Sequence, residues 1–294
     1  ICSGDNFEFL ARKDRYGLYT PVVICRDCGL IQTNPRMNQN AYNEFYNHEY
    51  RKLYGGKEAP TPEFFRWQYD KGRRICEYLE SMGLLKEFEN KFVFEVGCGA
   101  GGILHYFREQ GCRVAGIDLG ESYIEYGKNQ HNLNLSVGTI NTIDLDEAPD
   151  LIIYSHVLEH ILMPNEELQK VRSILPDAGL LYVEVPSVKN IMKSHQMDLL
   201  RLLQNAHVYH FSLKSLTNLL AINGFELVAG NEIVNSVFRK IQNGYSSDNI
   251  ENDYSDVMAY LQKAERFRRL YPISPYRLKQ LSKSIVARIL EPLS

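Results

Sequence analysis

The stretch from Phe92 to Gly102 constrains this chain more than any other. Phe92-Val-Phe-Glu95-Val is apolar apart from one acid, and it runs directly into Gly97-Cys98-Gly99-Ala100-Gly101-Gly102. Ile103, Leu104 and Phe107 then recur at helical spacing. A buried strand, a tight loop and a helix are the elements such a pattern forms, with the helix's first amides facing a crevice. Further on, Val114-Ala-Gly-Ile-Asp118 repeats the apolar run and ends on an acid, whose carboxylate can accept both hydroxyls of a ribose.

From Lys91 onward the chain alternates short apolar runs with amphipathic ones, the order a parallel sheet requires. The spacing predicts strands near 92–96, 113–117, 134–137, 150–154 and 179–185, and helices near 101–110, 121–131, 165–175 and 212–223. Phe225–Gly230 and Val234–Ile241 read as a closing pair of strands, which would set one strand antiparallel to the rest. The fold class is therefore α/β, a Rossmann-like sheet that is mostly parallel with one antiparallel strand.

With 294 residues the chain can hold one such domain plus appendages, and a net charge of −3 argues against a nucleic-acid binder. No apolar run reaches the length of a transmembrane segment, and no signal peptide is expected. Of the six cysteines, Cys98 sits in the glycine loop and Cys112 just before a buried strand. Neither suits a structural disulfide, so a reducing, cytoplasmic setting is expected.

The remaining segments are appendages to that sheet. Residues 1–37 read as a small turn-rich module with a β-hairpin over Val22–Ile31, and Cys25-x-x-Cys28-Gly29 at its tip has the spacing of a zinc knuckle. Cys2 reads as the second half of another C-x-x-C pair whose first cysteine would precede Ile1, with His48 or Asp5 as weaker candidates to fill the gap. Two reduced thiols in a hairpin are the plainer alternative. Residues 38–90 read as a helical lid and linker. Tyr42, Phe45, Tyr46, Tyr50 and Tyr54 form an aromatic stripe, Gly55-Gly56 and Pro60-Thr-Pro62 a break, and Glu63–Met82 a helix. The sheet domain spans 91–242. Residues 243–294 form a helical extension whose basic side chains are Arg266, Arg268, Arg269, Arg277, Lys279, Lys283 and Arg288.

Two cofactor classes compete for the glycine loop, a dinucleotide and S-adenosylmethionine (SAM). A carboxylate at Glu95, two residues before the first glycine, suits the ammonium of SAM and repels a diphosphate. Downstream, Asp150-Leu-Ile-Ile-Tyr154-Ser155-His156-Val-Leu-Glu159-His160 places a polar cluster after the fourth strand, and Leu175-Pro176-Asp177-Ala178-Gly179 stops a helix before the fifth. Together these segments, over about 91–241, resemble the class I SAM-dependent methyltransferase family. The cysteine module resembles the N-terminal zinc-binding domain of bacterial methyltransferases that act on nucleotide-linked sugars and surface glycans.

The resemblance implies that Glu95, Gly97, Cys98, Gly99 and Gly101 surround the methionine part of SAM. It places the ribose on Asp118, the adenine against Leu119, Thr139 and Ile140, and Ser155 and His156 under the cofactor. It implies a structural zinc on Cys2, Cys25 and Cys28. His207, in Asn205-Ala-His207-Val-Tyr209-His210, matches the family's general base. A base near neutral pKa suits transfer to a hydroxyl. His160 and His210 stand behind it, and Tyr50 belongs to a lid over the acceptor.

The expected function is O-methylation of a sugar hydroxyl in a nucleotide-sugar or surface-polysaccharide precursor. Oxygen is preferred to carbon because sugar C-methyltransferases of this N-terminal design carry a further large domain. A methyltransferase for a quinone or natural product is the alternative within the class. A non-catalytic scaffold with the same fold and a nicotinamide enzyme are the alternatives outside it. The expected partner is a small-molecule or glycan acceptor, and a homodimer is left open.

Overall fold

The structure, a computed structural model, describes residues 2–45, 49, 50, 53, 59–84, 88–233, 235–241 and 250–270. Its centre is a seven-stranded sheet. Chain order gives β4 (Phe92–Val96), β5 (Arg113–Asp118), β6 (Leu135–Val137), β7 (Leu151–Ser155), β8 (Leu180–Glu184), β10 (Phe225–Gly230) and β11 (Asn235–Lys240). Spatial order is β10-β11-β8-β7-β4-β5-β6. Strands β6, β5, β4, β7 and β8 pair in parallel, and β11 runs antiparallel to both β8 and β10. This is the mostly parallel sheet with one reversed strand expected from the alternation. Strand order reverses beside β4, and there ligands bind at the carboxyl ends of parallel strands.

Helices cover the sheet where the amphipathic runs fall. In chain order the first eight α-helices among the described residues are α1 (Gln39–Phe45), α2 (Pro62–Ser81), α3 (Gly102–Glu109), α4 (Glu121–His131), α5 (Pro164–Ile174), the short α6 (Ile191–Ser194) and α7 (Leu199–Leu202), and α8 (Leu213–Ala221). Thr61 caps α2, its hydroxyl accepting from the Phe64 amide, with Pro62 at the first helical position. The close crossing of α2 and α3 depends on glycine. A Cβ at Gly102 would lie 2.5 Å from the Phe65 carbonyl, and one at Gly72 would lie 2.8 Å from that of Ile103. Helix α2 thereby lies directly over the glycine loop.

A second sheet, of four antiparallel strands, joins β1 (Phe7–Lys13), β2 (Tyr19–Cys25), β3 (Ile31–Thr33) and β9 (Tyr209–His210). The hairpin expected over Val22–Ile31 is β2 and β3. Its edge strand β9 comes from far along the chain, with Ile31 opposite His210 and Gln32 opposite Tyr209. Helix α9 (Tyr254–Leu270) packs Val257, Leu261 and Ala264 into a core shared with Val22, Ile24, Ile31 and Leu202. Arg268 and Arg269 on α9 pair with Glu265. No described helix is long and apolar enough to cross a membrane. Of the residues named above, Ile1, Tyr46, His48, Tyr54, Gly55, Gly56, Val234, Arg277, Lys279, Lys283 and Arg288 lie outside the described residues.

Candidate active site

The glycine loop leaves β4 in an unusual backbone. Gly97, Gly99 and Gly101 all have positive φ, at 70°, 55° and 78°, a region costly for a residue with a Cβ. The turn brings the Gly99 amide 2.9 Å from Asp118 Oδ2, and the Gly120 amide donates to Asp118 Oδ1 at 2.7 Å. Asp118 thus ends β5 as a carboxylate anchored on both oxygens by backbone amides of the loops around it. Leu119 beside it is 64 % exposed, an apolar surface in the open. Thr139 follows β6 at the same end of the sheet, whereas Ile140 has no exposed surface and supports that loop from the core.

Glu95 is buried, and one of its carboxylate oxygens has no hydrogen-bond partner among the described residues. Burial pushes its pKa well up, opposed by the charge of Lys71. A cationic ligand would relieve that cost. Cys98 is packed in the core and burial holds its thiol well above the usual range, so it is part of the loop's packing rather than a nucleophile.

Beyond the ends of β7 and β8 lies a charged cluster that sequence reasoning only half found. Lys71 Nζ, from α2, is 3.1 Å from Ser155 Oγ and 3.3 Å from Glu184 Oε1. His156 has a positive φ of 57°. That conformation sets its ring between two carboxylates, 3.4 Å from Glu159 and 3.2 Å from Glu184. Against burial, which lowers it, those carboxylates hold the imidazole at about 9. His156 is therefore a cation at neutral pH. Lys71, Glu159 and Glu184 were missed as site residues. The signals were a lysine on the buried face of α2 and an acid at the carboxyl end of the last parallel strand.

The three candidate base histidines come together. The ring centroids of His160 and His207 are 4.6 Å apart, edge to face, and those of His207 and His210 are 5.7 Å apart. Tyr50 meets His160 edge-on at 5.8 Å. Burial, with His160 and His210 nearby, pushes the pKa of His207 well down, and burial takes His210 down to about 4. Both are neutral imidazoles at physiological pH. The Tyr42 hydroxyl lies 2.6 Å from the His160 carbonyl and 2.9 Å from that of Ala206, tying the two histidine-bearing segments together. A cavity of about 240 Å³ opens beside this cluster, lined among others by Thr33, Arg36, Tyr42, Asn205 and Val208.

In the hairpin module the sulfurs of Cys2, Cys25 and Cys28 lie within 4.8 Å of one another, with Cys2 and Cys25 at 3.5 Å. Gly29, at φ 77°, makes the turn after the second thiol. Burial pushes Cys28 up to about 12, with the neighbouring thiols adding to the shift. Three thiols so crowded cannot all ionise unless a cation neutralises them. The donors suit zinc, whose sulfur ligands sit about 2.3 Å from the metal; they supply three of its usual four positions.

A glycine-loop crevice at the switch point of a seven-stranded sheet with one reversed strand is the architecture of a class I SAM-dependent methyltransferase. The methyltransferase-domain family Methyltransf_23 matches residues 66–229, and the chain belongs to it. The ubiquinone biosynthesis O-methyltransferase of Coxiella burnetii is 30 % identical over 112 residues, 36 % of this chain and 47 % of that protein. The C-methyltransferase NovU of Streptomyces niveus is 27 % identical over 212 residues, 70 % of this chain and 46 % of that protein. The chain thus spans about half the length of these relatives. Among solved structures, the 1,6-didemethyltoxoflavin-N1-methyltransferase of Burkholderia thailandensis shares the fold, with a TM-score of 0.50 at 14 % identity over 73 % of this chain and 96 % of that one.

Proposed function

We propose that this protein transfers the methyl group of SAM to a hydroxyl of a small-molecule acceptor, with a sugar of a nucleotide-sugar or glycan precursor as the first candidate. The observation that carries this reading is the neutral histidine cluster of His160, His207 and His210 beyond the ends of the same sheet that presents the glycine loop and Asp118. Glu95, Gly97, Gly99 and Gly101 would hold the amino acid part of the cofactor, Asp118 the ribose, and Leu119 with Thr139 the adenine. When bound, SAM supplies an electrophilic methyl group on a sulfonium.

The residues of this chain then have three tasks: to orient the acceptor oxygen in line with that methyl group, to exclude water, and to take the hydroxyl proton. His207 is the first choice for the proton, because its neutral, buried ring has a free lone pair at physiological pH. Arg36, on the cavity beside it, suits an anionic portion of the acceptor such as a phosphate. A zinc ion on Cys2, Cys25 and Cys28 would be structural, stapling the hairpin that β9 extends.

The resemblance to a ubiquinone biosynthesis O-methyltransferase over 112 residues favours a second reading, in which the acceptor is a phenol or quinol. Calorimetric titration with S-adenosylhomocysteine (SAH), repeated on Asp118→Ala and Asp118→Asn, tests the cofactor half of the proposal. Micromolar binding that Asp118→Ala abolishes supports it, and a folded wild-type protein that binds no SAH sinks it. Incubation with labelled SAM and parallel panels of nucleotide sugars and dihydroxybenzoids then separates the two acceptor classes. Label on carbon rather than oxygen would overturn the choice of nucleophile.

A further inference from the structure

Glu159, His160 and His207 each point a ligating atom to one spot, and these atoms lie within 4.8 Å of one another. Glu159 and His160 sit on the 3-10 turn Leu158–His160 after β7, and His207 on the segment that leads into β9. Backbone clamps hold the two segments in register. The Val208 amide donates to the Glu159 carbonyl at 2.9 Å, and His160 Nδ1 lies 3.0 Å from the Ala206 carbonyl. The latter contact makes Nδ1 the protonated nitrogen and leaves Nε2 as the lone-pair side, 3.8 Å from Glu159 Oε1. That is the way metal-bound histidines are oriented, one nitrogen on a carbonyl and the other on the ion.

Glu159 is a deeply buried carboxylate. Its side chain is 2 % exposed and neither carboxylate oxygen accepts a hydrogen bond among the described residues. Its nearest cationic nitrogen is His156 Nδ1, at 3.4 Å. No hydrogen bond from a described residue reaches the ring of His207, which is 4 % exposed. Nε2 of the adjacent His210 is likewise buried without a partner. Two of the five buried, unpartnered side-chain polar atoms among the described residues are therefore the oxygens of Glu159, and a third sits on the ring of His210 next to His207. Buried polar atoms normally find partners, and such a concentration marks a missing one. Two imidazoles and a carboxylate are a ligand set for a borderline divalent cation of the manganese-to-zinc series.

We propose that Glu159, His160 and His207 form a divalent-cation site. Ligand atoms about 2.1 Å from a common ion stand roughly 3–3.5 Å apart, so side-chain rotations of about 1 Å would close the triad. Three protein ligands leave coordination positions for water or for oxygens of the acceptor, a pair of neighbouring hydroxyls above all. This last role rests on the methyltransferase reading, whereas binding of the ion does not. With a cation bound, the lone pair of His207 serves the metal, and the acidity of a coordinated hydroxyl replaces the need for a separate strong base.

The probe is Mn²⁺, which thiolates hold poorly, so that the cysteine cluster does not compete for it. The full chain is titrated with Mn²⁺ and the free aquo ion followed by electron paramagnetic resonance, for the wild type, Glu159→Gln and His207→Ala. SAH binding is measured calorimetrically on the same samples. The proposal expects one Mn²⁺ per chain and at least about tenfold weaker binding in each variant, with SAH binding kept. A wild type that binds no Mn²⁺, or variants that bind it as tightly as the wild type, would overturn it. If Glu159→Gln does not fold, His207→Ala alone decides. Loss of SAH binding from a wild type that holds Mn²⁺ would count against the cofactor reading and leave the cation site standing.

Discussion

Lys71 Nζ lies 3.3 Å from Oε1 of Glu184, an ion pair that joins helix α2 to the end of β8 with side chains only 7 % and 12 % exposed. Burial lowers the pKa of Lys71. Against burial, the hydrogen bond from His156 and the charge of Lys71 hold Glu184 at about 2. The carboxylate keeps its charge because it has two cations, where Lys71 has one principal anion.

Removing one partner of this pair strands a buried charge. Lys71→Ala is expected to cost about 3–5 kcal/mol, read by urea denaturation. Lys71→Met, which keeps the apolar stem, is expected to lose less. Equal stability of Lys71→Ala and wild type would show that His156 alone satisfies Glu184.

The same pair gives a direction in pH. A carboxyl held at about 2 in the folded state stabilises the protein fully above its unfolded value near 4.5, and that contribution fades as pH falls toward 2. Lys71→Ala lets the folded value rise, so acid unfolding followed by circular dichroism should begin at higher pH in the variant. Coincident acid transitions would contradict the assignment.

At Gly101, φ is 78° and an added Cβ would stand 2.7 Å from Leu133 Cδ1 and 3.0 Å from Leu135 Cδ1. Gly101→Ala is expected to cost about 1–3 kcal/mol and to weaken SAH binding, because the loop must open to relieve the contact. Gly17, also at positive φ but with open space around its Cβ, should cost less when changed to alanine, and the two denaturation midpoints make the comparison.

Metal analysis of the purified chain is expected to find one zinc that survives dialysis. Removing it by a strong chelator, or by Cys25→Ser, should lower Tm while SAH binding at the other sheet persists. A metal-free protein of unchanged Tm would leave the three thiols as packing.

His207→Ala should reduce methyl transfer by about 10²–10⁴-fold with SAH affinity kept. Arg36→Ala should raise KM only for acceptors that carry a phosphate. An unchanged KM across the nucleotide-sugar panel would shift the weight to the phenolic acceptor.

Much of the fold was legible in the sequence. The strands of the large sheet after Lys91 announce themselves as apolar runs punctuated by glycine, proline and acids, and each expected strand and helix there has its counterpart within a residue or two. Strand β9 did not, since two residues carry no periodicity. Strand β1 did not either, because its alternation is blurred by irregular pairing with β2. The histidines could be named one by one, but not as a group.

By itself the sequence determined the sheet, the glycine loop and the acid that closes β5, because each follows from local pattern: alternation, positive φ and strand length. Only tertiary structure decided the rest. Lys71 reaches Glu184 across more than a hundred residues, and Glu159 meets His207 because β9 returns to pair with the N-terminal hairpin. Such meetings depend on long-range packing and on the cost of leaving charges unpaired in a low-dielectric interior, which no local pattern encodes.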